Sequence, residues 1–495
     1  MNPTTEVPAV SANPTSLPSQ ADELLEDETA VAEENRSLTR VLIVIAAAVF
    51  LASLDMFIVN IAFPSIQADF TGSSISYLSW VLNGYMIVFA ALLMPFGRLA
   101  DRLGRKRIFM AGLLIFTIAS AACALAWSVD SLIAFRVIQG VGAAMLMSTS
   151  LALLLHHFPP ARWPVAIGIW AAAGGMAAAL GPPLGGLLVE ASWRWVFLVN
   201  VPFAVGAWIY GRSVINESRD VNENRWPDVF GTLLLIVGVA IICWGLVKAP
   251  DYGWGSSETV VALAAGVILL AATVLRASRT PKSRIPTIEL PMFANRAFSM
   301  ACLTGLLFMV AFSAVLLGGI LFYTSVWGYS VIQSGLAFTP GPVMAAAFAI
   351  PAGRFGARFG SGRMAALGCL FLSAGSVYWL FMMGSTPDYL VENLPGQILI
   401  GTGVGLVFPN ISAAVASTLP PTQLATGSAV LSAGRQIGAV LGVSILVAIV
   451  GAIKGPATAA DFHEAWIFIA ATGVVAAGVG LTIGAAAALK PAKAS

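Results

Sequence analysis

The sequence predicts an all-α polytopic membrane protein with fourteen membrane-crossing helices. Three observations carry this. Of 495 residues, 58% are hydrophobic and only 10% are charged, against about 45–50% and about 25% in ordinary soluble domains. From Arg40 onward, apolar runs of about 18–25 residues recur, each able to cross roughly 30 Å of hydrocarbon as a helix. The basic residues are sorted to one side of those runs. Such a composition excludes a soluble globular enzyme and a disordered scaffold. A net charge of +2 excludes nucleic-acid binding as the main role.

Residues 1–35 hold eight acidic residues, no Lys or Arg, and prolines at positions 3, 8, 14 and 18. This stretch has too little apolar surface to offset its ordering entropy and reads as a disordered acidic tail on the cytoplasmic side. It lacks the basic start of a signal peptide. The spans follow near 41–63, 77–97, 108–127, 131–154, 164–189, 196–213 and 229–248, then 259–276, 298–325, 335–356, 364–384, 395–418, 427–453 and 465–488. Cys123, Cys243, Cys302 and Cys369 all sit in apolar runs, so no disulfide framework is implied. His156, His157 and His463 make no metal-ligand pattern.

Basic residues set the orientation. With the N-terminus inside, the inner segments hold 21 of the 26, in groups such as Arg98–Arg107, Arg276–Arg296 and Arg354–Arg363. The outer loops hold only Arg194, Lys248 and Lys454, while Arg136 and Arg435 lie within spans. Both termini are therefore expected in the cytoplasm, with the chain in the cell membrane.

The loop Pro95–Arg107 recurs at Pro351–Arg363, shifted by 256 residues, with Pro, Gly, Arg, Arg, Gly and Arg identical. Duplicated halves around a midplane site are common in transporters. The repeat divides the chain into a tail at 1–35, a six-helix bundle at 36–215 and two additional helices at 216–280. A second bundle at 281–489 and a tail at 490–495 complete it. Chance likeness between short basic glycine-rich loops is the competing reading.

Specific motifs sit on this frame. Gly97-Arg98-Leu99-Ala100-Asp101-Arg102-Leu103-Gly104-Arg105-Lys106 resembles the signature between the second and third helices of the major facilitator superfamily. The run from Leu132 through Arg136, Gln139, Gly140 and Gly142 to Ala144 resembles its fourth-helix motif. Gly181-Pro182-Pro183-Leu184-Gly185-Gly186 is similar to the fifth-helix motif of antiporters, with Ala177 where a further spaced glycine is expected. Leu54-Asp55 through Asn60 to Pro64 resembles the first-helix signature of drug:proton antiporters. With fourteen spans, the likeness is to the EmrB/QacA-type branch. It is dense over spans one to six and thinner afterwards, where Asp101's counterpart is Ala357.

Asp55 is the only acidic residue well inside any span. A carboxylate in hydrocarbon costs several kcal/mol unless paired, protonated or hydrated. Arg136 lies at a compatible depth, so the two are the expected proton-coupling pair. A static pair that fixes helix packing is the competing reading. The resemblance implies a cytoplasmic gate at Gly97, Arg98, Asp101, Arg102, Gly104 and Arg105, where the same charges also determine topology. It implies a sealing, kinked helix at Gly181, Pro182, Gly185 and Gly186, where plain helix packing competes. Gly401, Gly403 and Gly405 lie in an apolar helix with no preceding strand and read as packing, not a nucleotide loop. Trp80, Asn83, Tyr85, Gln139, Trp170, Asn200, Phe312, Tyr323, Asn410, Arg435 and Gln436 are the candidate cavity lining, with interhelical hydrogen bonding as the alternative for each.

The resemblance implies proton-driven export of hydrophobic small molecules by a monomer in the bilayer, using no cofactor beyond the proton gradient. One embedded carboxylate already facing Arg136 favours neutral, zwitterionic, weakly anionic or monocationic cargo over dications. A nutrient symporter could use the same fold. A membrane-embedded transferase would need clustered catalytic groups that the chain lacks. On the orientation above, a cysteine placed at Ser385 should react with an impermeant maleimide on intact cells. One at Ser283 should react only after permeabilisation; the reverse pattern overturns the orientation.

Overall fold

The computed structural model describes residues 20–159, 162–219, 225–281, 283–419, 424–451 and 456–488. Its first part comprises α1 (Gln20–Asp69), α2 (Ile75–Leu78), α3 (Trp80–Leu103), α4 (Arg105–Ala124), α5 (Val129–His157), α6 (Trp163–Ala191), α7 (Trp195–Leu198) and α8 (Asn200–Val214). An intervening pair, α9 (Val229–Tyr252) and α10 (Ser257–Ser278), follows. The last part comprises α11 (Arg296–Ser325), α12 (Val331–Phe338), α13 (Pro340–Phe359), α14 (Ser361–Met382), α15 (Leu394–Thr418), α16 (Leu424–Val450) and α17 (His463–Ala488). Twelve helices among the described residues are long and apolar enough to cross a membrane. The predicted runs 164–189 and 196–213 are also helical, as α6 and as α7 followed by α8.

Two expectations need correction. Residues 20–35, expected in the disordered tail, continue α1 as one 50-residue helix. Past Pro18 the segment has neither proline nor glycine and is rich in Ala, Leu and Glu, which are strong helix formers. Residues 1–19 and 490–495 lie outside the described residues. The predicted sixth span is broken at Val199. Pro202 has no N–H to give the carbonyl one turn back, so the helix restarts there. Pro342 stands at the same remove after the break between α12 and α13.

Within the first part, α1 packs on α6 and α8, α3 on α5, and α4 on α5 and α8. Within the last, α11 packs on α16 and α17, α14 on α15 and α17, and α13 on α15. The parts meet along α3–α16 and α6–α12. Helix α9 lies over the α3–α16 seam and touches both. Only 17% of the apolar window of α10 is buried, against 83% for α11, so the pair is peripheral.

The duplicated loops share a backbone. Gly104 joins α3 to α4 at φ +115°, and Gly360 joins α13 to α14 at φ +95°. Both lie in a region that only glycine adopts without strain, which accounts for a glycine at each of these two loops.

A two-residue parallel ladder, β1 (Trp226–Pro227) with β2 (Arg284–Ile285), ties the entry of α9 to the exit of α10. Beside it, Arg276 donates to both oxygens of Asp228, at 2.6 and 2.7 Å. Burial pushes the Asp228 carboxyl up. The Arg276 hydrogen bonds, a backbone bond from Gly231 and the Arg276 and Arg284 charges outweigh this, holding it below the usual carboxylate range.

Small residues set how closely the helices approach. A Cβ at Gly442 of α16 would lie 2.1 Å from the Val310 carbonyl oxygen of α11, whereas one at Gly478 meets nothing within 4 Å. Overpacking typically costs about 1–3 kcal/mol, and more against backbone. Gly442→Leu should therefore lower the melting temperature in detergent by several degrees, with Gly478→Leu as the unaffected control. Equal melting for both variants would refute the close α11–α16 contact.

Candidate functional site

Asp55 on α1 is fully buried, as are Arg136 and Gln139 on α5 and Asn200 at the start of α8. Arg136 Nη1 donates to Asp55 Oδ2 at 2.5 Å and to Gln139 Oε1 at 2.7 Å. Gln139 Nε2 and Asn200 Nδ2 donate to Asp55 Oδ1 at 2.8 and 3.2 Å. Both carboxylate oxygens are thus occupied by donors. Gln139 and Asn200 also reach Ser120 Oγ on α4, at 2.7 and 3.2 Å. Arg136 Nε donates to the Val81 carbonyl of α3 at 3.0 Å. Its guanidinium lies 4.1 Å from the Tyr85 ring and 5.7 Å from that of Phe197 on α7.

Six helices of the first part therefore contribute to one buried ion pair. The spacing explains Arg136 and Gln139, which share a face at i,i+3. Ser120 and Phe197 had no sequence signal, since a serine or phenylalanine in an apolar run is ordinary. Within the cluster, Arg136 Nη2 and Asn200 Oδ1 keep no partner. Tyr85, Gln139 and Asn200, expected along a cavity, instead belong to this cluster. The amides are short and point inward to the carboxylate, which outcompetes a neutral partner.

Other cavity candidates are also tied up within the protein. Tyr323 is fully buried; its hydroxyl donates to Asn393 and accepts from Gln397 at 3.2 Å. Asn410 donates to the Ala352 and Leu406 carbonyls, at 3.1 and 2.8 Å, and ties α15 to α13. Trp170 donates to Ser150 at 3.0 Å. Asn83 reaches across the seam to Ser444 Oγ at 3.1 Å. Trp80 is half-buried against the core. Phe312 stacks on Phe308 with ring centres 5.9 Å apart, and Gln436 is buried with its Oε1 unpartnered. Gly401, Gly403 and Gly405 do pack closely: Cβ atoms there would meet backbone oxygens of Gly341, Gly368 and Ala345.

The glycine-proline helix bridges the two parts. Cβ atoms at Gly181 and Gly185 would meet Phe57 and Ile58 of α1 at 2.8 and 2.9 Å. One at Gly186 would meet Ile332 of α12 at 2.8 Å, and one at Gly335 would lie 2.4 Å from the Pro182 carbonyl oxygen. Removing side chains lets α6 press on α1 with one face and on α12 with another.

At the basic end, Arg98 donates to Glu289 at 2.8 Å and to Thr426 at 3.0 Å, joining α3 to the last part. Asp101 pairs with Arg105 at 2.9 Å. Arg102 stacks over Trp226 at 4.0 Å. Gly97 packs near Ser148 of α5. Glu217, unmarked in the sequence reading, caps α4 by accepting from the Lys106 and Arg107 amides at 3.0 and 3.3 Å. A Cβ at Gly104 would strike that carboxylate. Among the described residues no His, Cys, Asp or Glu group could hold a metal ion.

Removing one partner of a buried pair strands the other charge, at about 3–5 kcal/mol. Arg136→Gln should lower stability in detergent by that order. Adding Asp55→Asn should restore at least half of the loss, read as a double-mutant cycle. Strictly additive losses would overturn the pairing.

The family model described as the Major Facilitator Superfamily matches residues 45–443 and 308–493. A tetracenomycin C resistance and export protein of Streptomyces glaucescens is 33% identical over 82% of this chain and 74% of its own length. A methylenomycin A resistance protein of Streptomyces coelicolor is 34% identical over 81% of this chain and 83% of its own. The crystal structure of the POT family transporter PepTSo superposes with a TM-score of 0.67 at 14% identity, covering 92% of this chain and 99% of that one. With this match, these identities and this helical frame, the chain belongs to the Major Facilitator Superfamily.

Proposed function

We propose that this transporter exports hydrophobic small molecules in exchange for protons by alternating access, as a fourteen-helix member of the EmrB/QacA-type branch. The names of the resistance and export relatives support the direction and the cargo class. The single observation behind the coupling is the buried Asp55–Arg136 pair. Asp55 is the one carboxylate deep in a span, and it sits where a protonation change must alter the packing of six helices.

The chemistry follows from the geometry. Ionised, Asp55 neutralises Arg136 and accepts from Gln139 and Asn200. A proton arriving on Asp55 cancels the attraction and leaves Arg136 a buried unpaired cation, which is costly. That cost favours a rearrangement of the first bundle that lets Arg136 find new partners. Water then reaches the pair only in the opened arrangement, because both residues are sealed here. Cargo and proton compete for opposite arrangements, which is the requirement for exchange.

The architecture fitting this reading is two six-helix bundles at 36–215 and 281–489, with the pair at 216–280 outside them. Both termini would be cytoplasmic in the cell membrane. The Arg98–Glu289 tie then serves as a cytoplasmic gate contact and the α6–α12 contact as an outer seal. The functional unit is the monomer in the lipid bilayer, with the proton gradient as its energy source and no cofactor.

Asp55→Asn should insert normally, still bind cargo and lose export driven by a pH gradient at least a hundredfold. The cargo comes from a toxicity panel in a pump-deficient bacterium. The measurement is proton movement in proteoliposomes on adding that compound. Wild-type rates in the variant would remove Asp55 as the carrier.

A further inference from the structure

Arg435 stands near the middle of α16, eleven residues from its first residue, or about 16 Å along the helix axis. Its surroundings contrast with those of Arg136. Among the described residues no carboxylate pairs with it, and its only hydrogen bond is from Nη2 to Ser432 Oγ at 3.5 Å. The stem is held: a Cβ at Gly305 of α11 would lie 3.6 Å from Arg435 Cγ. The head lies 5.3 Å from the ring of Phe408, which is half-buried. Phe408 is backed edge-on by Phe308 and Phe312, at 5.5 and 6.3 Å.

Open space adjoins this group. A Cβ added at the neighbouring Gly434 meets nothing within 4 Å. Residues 432–435 are half-buried, whereas 438–440 on the same helix are closed off. A guanidinium stays charged at every accessible pH. Holding it near the middle of an apolar bundle without a counter-ion is costly, and an anion from outside the chain would offset that cost. Its fork matches a carboxylate bidentately, and the Phe408 ring offers a face to a planar apolar body.

We infer that Arg435 and Phe408 form an anion-and-ring subsite for the cargo, selecting planar aromatic monoanions. This rests on the export reading above and narrows its cargo class. Purified full-length protein in detergent, with no gradient, is titrated with anthracene-9-carboxylate and with its uncharged methyl ester, following probe fluorescence. Wild type should bind the acid at least tenfold more tightly than the ester. Arg435→Gln should bring the acid to the ester's affinity and leave the ester within twofold. Arg435→Lys keeps the charge but loses the fork, and should weaken the acid alone by three- to tenfold. Gly434→Phe should weaken both probes by filling the space. Melting curves identify folded variants, and Arg435→Lys decides if Arg435→Gln does not fold. No acid preference in wild type, an unchanged acid affinity in the arginine variants, or equal loss of both probes there overturns the subsite. Asp55→Asn should keep the acid preference, so failure of proton-driven export with that preference intact counts against the coupling alone.

Discussion

A charge in hydrocarbon must be answered by the protein, and the first bundle is organised around that requirement. Asp55 and Arg136 come from helices 81 positions apart in sequence, and each is fully buried. Their pairing alone would leave hydrogen-bonding capacity unmet. Gln139, Asn200 and Ser120 fill most of it, and Tyr85 covers a face of the guanidinium. Apart from Gln139, which shares α5 with Arg136, each added partner recruits another helix. The result is a polar pin through α1, α3, α4, α5, α7 and α8, in surroundings otherwise held by non-directional contact. Apolar packing can slide at small cost; a directed network of this kind cannot. The pin therefore gives these helices a defined register.

Among the described residues the last part of the chain holds no matching pin. Gly104 and Gly360 occupy the same left-handed backbone at equivalent loops. The charges have diverged: Asp101 pairs with Arg105 in the first copy, while Ala357 stands at the matching place in the second. In the last part, Tyr323, Asn393 and Gln397 make an uncharged knot, and among the described residues no acid pairs with Arg435. Two uses of arginine result. One is consumed by the protein's own structure; the other, among the described residues, has only the Ser432 hydroxyl as a hydrogen-bond partner.

Much of this was legible in the sequence because the bilayer imposes simple rules. Span length, the sorting of basic residues and the duplicated loop each follow from one constraint acting on consecutive residues. The Asp55–Arg136 partnership was legible because so few charges enter the spans that each has few possible partners. Partners of ordinary type were not. Ser120 and Phe197 carry no local signature, and Glu217 caps α4 from a loop 111 residues beyond Lys106. The cavity candidates meet a related limit. Tyr85, Asn200, Tyr323 and Asn410 are polar groups in spans, and sequence alone cannot separate a group facing open space from one satisfied by a neighbouring helix. Residues 20–35 expose a different limit. Their composition argued against a packed core, but a helix can also form from propensity, and Ala, Leu and Glu supply it.

How the contacts are distributed bears on how such a molecule could move. Inside each bundle the ties are dense and directional: the Asp55 network in one, the Tyr323 knot and the Asn410 link in the other. Between the two parts the polar ties among the described residues are of another kind. Arg98 reaches Glu289 and Thr426 at one end, and both members of that ion pair are about a quarter exposed, so water competes for it. Asn83 and Ser444 meet in a single neutral bond. The contact at Gly186 and Gly335 is backbone against backbone, with no side chain to interlock. Interfaces made of exchangeable polar contacts and smooth small-residue surfaces cost little to part, whereas the bundles themselves would lose buried, paired groups if they deformed. Halves rocking across a seam held by few directional ties are the motion this distribution favours. Because α9 rests on both α3 and α16 at that seam, the inserted pair must shift with one half or the other whenever the seam opens.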